Sequence, residues 1–103
     1  MTADELRRLA EVAGLELQYS KLEGWYWYEE NYNHTPWRPH ESIEQAMMVV
    51  EAFDCYEIGK DMSSAAPYWC QIFTGVGGPM IGQAIGMELP YAICRAAMAA
   101  KEG

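Results

Sequence analysis

The chain is poor in the residues that chemistry usually needs. It has two histidines, and no HExxH, GxSxG or Walker A motif. That removes the usual signatures of zinc hydrolases, nucleophile-elbow esterases and P-loop nucleotidases. His34 and His40 have neither a histidine at helical spacing nor a cysteine pair beside them, so no zinc site is expected. Basic residues are also few, 7 against 15 acidic, for a formal net charge of −8. Such a surface repels duplex nucleic acid and anionic membranes. No apolar run reaches membrane-spanning length, and the opening Met1–Arg8 is charged, unlike a signal peptide. Three cysteines, Cys55, Cys70 and Cys94, form no CxxC and make an odd count. They are expected as free thiols packed as small apolar groups in a reducing cytoplasm.

What the chain has in excess is aromatic side chains. Gly24 is followed by Trp25, Tyr26, Trp27 and Tyr28. Four aromatics in a row suit a central β-strand with Trp25 and Trp27 on one face and Tyr26 and Tyr28 on the other. Both faces are then sticky, and one needs a second layer, a partner copy or a ligand. The adjacent carboxylates Glu29 and Glu30 point to opposite sides of such a strand and form no acid–base pair.

The 103 residues suit one domain, 1–103, with a small core. Thr2 and Glu5 spell a capping box that opens a helix with Leu6, Leu9, Ala10 and Ala13 on one stripe, ended by Gly14. Leu15–Tyr19 alternates like a strand and forms a hairpin with the aromatic stretch. Asn31–Pro39 is irregular. Ser42 and Gln45 spell a second capping box, followed by an apolar helix ending near Asp54. Cys55–Ile58 and Tyr68–Phe73 are two further strands, separated by a polar turn. Thr74–Gly82 is a glycine-rich loop that continues apolar to Met87. It serves as a flexible turn, or as a loop lining a ligand or subunit contact. Pro90 suits the first turn of an alanine-rich helix reaching Lys101. The order α-β-β-α-β-β-α defines an α+β fold, an antiparallel β-sheet with packed helices.

Two segments carry a family resemblance. Trp37-Arg38-Pro39 with the helix Ile43–Glu51, and Glu88-Leu89-Pro90-Tyr91-Ala92-Ile93-Cys94-Arg95-Ala96-Ala97, are similar to motifs of the phage ABA sandwich domain, a small α-β-α protein of bacteriophages. Leu9-Ala10-Glu11 with Gly14-Leu15 agrees more loosely. The resemblance implies a phage protein made in an infected bacterium, and no enzyme. Small phage proteins of this size include sponges that oligomerise and sequester nucleotide second messengers of antiphage immunity. By class and context, that implies a non-catalytic binder of a nucleotide-derived ligand.

Such a ligand needs stacking surfaces and a grip on phosphate. The candidate binding residues are Trp25, Trp27, Trp37, Tyr68 and Trp69 for stacking, with Arg38 and Arg95 for anions. Core packing is the other role open to the tryptophans. For Arg38 it is a surface ion pair; for Arg95, a structural pair with a sheet-edge carboxylate. Neither a cofactor nor a metal is expected. The expected partners are the small ligand and a second copy, with no duplex nucleic acid and no membrane. A module that binds and inhibits a host protein is the alternative, and a signal-cleaving enzyme a weaker one.

Overall fold

The structure is a computed structural model describing residues 1–22, 24–28 and 34–102. Within it the order is α1 (Ala3–Ala13), β1 (Gln18–Ser20), β2 (Gly24–Tyr28), β3 (His34–Pro36), α2 (Ile43–Val50), β4 (Cys55–Lys60), β5 (Tyr68–Phe73), β6 (Met80–Gly86) and α3 (Leu89–Glu102). The class is α+β as the pattern implies. Glu29 and Glu30 lie outside the described residues.

Two strands were not visible in the sequence, and the strands form two antiparallel sheets rather than one: β1-β2-β3 and β4-β5-β6. The short β3 ends at Pro36 and has no alternation of its own; Tyr28 pairing with His34 and Tyr26 with Pro36 define it. The glycine-rich stretch is also not all loop. A tight turn holds its start, where the Gly78 N–H donates to the Gly75 carbonyl and Gly77 takes a left-handed φ of 77°. From Met80 onward the chain becomes β6. Glycine is disfavoured in strands, so the run read as a turn. Its real task at Gly82 is close packing. A Cβ there would collide with the Ala96 carbonyl and the Ala100 backbone on α3.

Local signals hold where they are strictly local. Thr2 and Glu5 complete their capping box, and Gly14 ends α1 at φ 77° with its N–H turned to the Ala10 and Glu11 carbonyls. The second box is half made. Ser42 accepts from the Gln45 N–H, but the Gln45 amide is used elsewhere. It takes the Arg38 N–H at 2.6 Å and donates to the Pro36 carbonyl at 2.9 Å. A buried amide satisfied this way ties the loop before α2 onto the helix itself.

The core gathers Leu9 of α1, Val49 and Val50 of α2, Cys70 and Ile72 of β5, and the small face of α3. The α3 helix lies on the inner face of β5 and β6 and also meets α1 and α2. Cys70 and Cys94 are both buried, which pushes their thiols up to about 11 and about 12. All three cysteines are free. No described helix is long and apolar enough to cross a membrane.

Gly82→Val should therefore lower stability by at least about 1–3 kcal/mol through overpacking against α3. Urea unfolding followed by tryptophan fluorescence reads the loss, and an unchanged midpoint would mean that α3 does not need this contact.

Candidate functional site

The seven residues singled out for binding do not all converge: Trp25, Trp37 and Arg38 border one shallow cleft, Trp69 lines another, and Trp27, Tyr68 and Arg95 line neither. Trp27 and Trp37 belong to the core. Trp37 is 1% exposed and meets Trp27 edge to face, ring centroids 5.4 Å apart. Its indole N–H donates to the Leu6 carbonyl at 2.8 Å, and its backbone N–H to the Trp25 carbonyl at 2.8 Å. No ligand ring can reach either indole face without unpacking the core. Trp25 is half-buried beside Tyr19, at 5.2 Å, with the Arg7 guanidinium 6.0 Å from its ring.

The two arginines are engaged in different places. Arg38 is exposed on the loop before α2, 3.7 Å from Glu41. Arg95 reaches across from α3 to Glu5 on α1, and not to a sheet edge. The Glu5 carboxyl is held below its usual range by the Thr2 backbone N–H first, with Arg95 contributing. Trp25, Trp37, Arg38 and His40 share a shallow cleft of about 270 Å³, which Trp37, 1% exposed, borders without offering a ring face. Burial lowers the His40 pKa below its usual value, and its buried Nδ1 has no hydrogen-bond partner. Among the described residues no cluster of His, Cys, Asp and Glu could hold a metal ion.

Tyr68 and Trp69 sit on opposite faces of β5. Tyr68 is on the helix side, its ring 5.1 Å from the Lys60 ammonium. Trp69 is on the outer face. The strand register lays out that face in rows across the sheet. Gly59, Trp69 and Ile85 form one row; Glu57, Gln71 and Gln83 form the next; Cys55, Phe73 and Met80 form the third. The opposite face, with Cys70 and Ile72, is the one buried by α3.

Gly59 shapes the first row. A Cβ at Gly59 would fall inside the Trp69 ring, so the indole lies across β4 where that residue has no side chain. The result is a cleft of about 570 Å³ lined by Trp69, Gln71, Gln83 and Ile85 of the sheet, with Asp61 and Ser64 from the loop after β4. Ile85 is 65% exposed at its edge. The Asp61 carboxyl is held below its usual range by the Ser63 hydroxyl, at 2.7 Å, and the Ser63 N–H, at 3.0 Å. Flat apolar surface beside amides suits binding of a planar molecule. Cys70 also lines the cleft, but its raised pKa leaves it a neutral thiol at pH 7.

Of the seven residues, Trp69 alone lies in this cleft. Gln71, Gln83, Ile85 and Asp61 were missed. Gln83 and Ile85 fall in the stretch that reads as loop, so no face could be assigned to them. Gly59 was the available signal: a glycine beside a strand, matched by a tryptophan on the next one.

The described residues form a three-helix, two-sheet α+β architecture with a small open cleft. The family model for the phage ABA sandwich domain matches residues 9–98, and the chain belongs to that family. A 2.0 Å crystal structure of a phage protein from Bacillus cereus ATCC 14579 is similar over 100% of this chain and 90% of that one, with a TM-score of 0.67 and 20% identity. That likeness is one of fold. No curated protein matches the chain.

Trp37→Ala should cost about 3–5 kcal/mol, the loss of a large buried aromatic plus an orphaned Leu6 contact. The expected readout is a large fall in the unfolding midpoint. A variant with wild-type stability would show that the indole is dispensable to the core.

Proposed function

We propose that this protein is a non-catalytic binder that sequesters a nucleotide-derived immune signal of the infected bacterium, and that the base of the ligand stacks on Trp69. The observation that carries this is the indole packed against Gly59 in the lining of the outer-face cleft. Base–aromatic stacking contributes about 1–3 kcal/mol and tolerates many bases. Enclosure without turnover fits a cleft whose sheet face presents amides and apolar groups, the Cys70 thiol being buried on the opposite face. The alternative, docking onto a host protein, finds less support. The most exposed apolar side chains, Leu22, Met62 and Val76, sit on three separate turns.

The test is to incubate the protein with cyclic dinucleotides and cyclic ADP-ribose isomers, measure binding, then heat and recover the ligand. Capture with release of the intact molecule is expected, and Trp69→Ala should weaken it roughly 5- to 150-fold, the equivalent of the stacking energy. Release of a product with altered mass would make the protein an enzyme. Equal binding by Trp69→Ala would remove the cleft from the mechanism.

A second copy fits along β6. Its seven residues carry no charge and no proline, whereas the opposite edge, β4, is guarded by Glu57 and Lys60. An uncharged edge is where a chain of net charge −8 can meet itself with least repulsion. Sedimentation at micromolar concentration should give a dimer that Gln83→Lys disperses; a monomeric wild type would refute it.

A further inference from the structure

We infer that the cleft over Trp69 selects the amino-bearing, uncharged heterocycle of its ligand and keeps anionic groups outside. This rests on the ligand-capture function proposed above and specifies what that cleft accepts.

The first ground is the order of the rows. A ring stacked on Trp69 lies in the row Gly59–Trp69–Ile85, with Ile85 at its far side. The next row, Glu57–Gln71–Gln83, begins two residues along each strand, about 7 Å away. That distance brings extended glutamine side chains to the edge of a stacked ring rather than to its face. Each amide offers both donors and an acceptor, whereas Glu57 and Asp61 as carboxylates only accept. Asp61 takes both Ser63 hydrogen bonds on Oδ1, which leaves Oδ2 an acceptor on a residue that lines the cleft. Acceptors therefore exceed donors around the ring, and a heterocycle that brings its own N–H groups is the one whose edge is fully paired. A ring edge that presents carbonyls to carboxylates leaves both unpaired, and unpaired polar groups are what give hydrogen-bonding sites their discrimination.

The second ground is where positive charge is absent. No lysine or arginine lines the cleft. Arg7 and Arg8 pair with Asp4, Arg38 with Glu41, Arg95 with Glu5 and Lys101 with Glu11. The Lys60 ammonium stands over Tyr68, on the other face of the sheet. A phosphate drawn into the cleft would meet the Asp61 carboxylate, with Glu57 in the neighbouring row of the same face and no cation in the lining, within a chain already at −8. A phosphorylated ligand can still bind if its base enters and its phosphates stay in solvent, where salt screens the repulsion.

Calorimetric titration of the full protein tests this with adenosine and cytidine, their deaminated counterparts inosine and uridine, and AMP. Adenosine and cytidine should bind at least tenfold more tightly than inosine and uridine. AMP should bind more weakly than adenosine at low salt, with the gap closing as salt rises. Asp61→Asn should narrow the adenosine–AMP gap while leaving the fold intact, because Asp61 is fully exposed in a loop. If AMP binds as tightly as adenosine or tighter, or the deaminated bases bind equally well, the selectivity is wrong while ligand capture stands. If Trp69→Ala leaves all of these affinities unchanged, or none of the compounds binds, both the selectivity and the site fall.

Discussion

The fold depends on how one indole is held. Trp37 comes from an irregular loop, yet its side chain crosses to the Leu6 carbonyl on α1 and its ring closes against Trp27 of β2. Its backbone is fixed separately, by the Trp25 carbonyl and by the loop's attachment to Gln45 of α2. Three elements distant in sequence are thus locked through one residue. A large aromatic suits this role because a single side chain supplies both apolar area and a directed donor. The cost is that its ring is consumed by the core and cannot serve a ligand.

A second constraint acts at the other sheet, and it works by absence. Gly82 lets the α3 backbone approach β6, and the alanines facing it keep that layer thin. Gly59 does the same on the outer side, where the missing side chain leaves room for the Trp69 ring. One sheet therefore has a face closed by α3 and a face partly floored by its own tryptophan. The first is stability. The second is open surface, apolar at Trp69 and Ile85 and polar at Gln71 and Gln83.

Electrostatics divides the molecule in a matching way. Most of the cations stand in surface ion pairs, Arg95 with Glu5 and Lys101 with Glu11 among them. Exposed pairs of this kind contribute little to stability, on the order of 0–1 kcal/mol each. Their consequence lies elsewhere: the cleft keeps only carboxylates near it. The expected union of tryptophans with both arginines is half met: Arg38 borders a cleft with Trp25 and Trp37, while Arg95 pairs with Glu5 outside it.

Much was already determined by the sequence alone. Capping residues at Thr2 and Gly14, the aromatic alternation of β2 and the apolar stripes of α2 and α3 act over a few neighbours, so they are legible without the fold. The α+β class and the family motifs around Trp37 and Cys94 follow from the same local patterns. Tertiary structure alone decided which aromatics are buried, that the glycine-rich run is a strand, and that Gln71, Gln83 and Ile85 share a face with Trp69. Glycine means turn or close packing depending on what stands beside it, and a tryptophan means core or platform depending on which layer covers it. Those neighbours come from remote parts of the chain, and no local pattern records them.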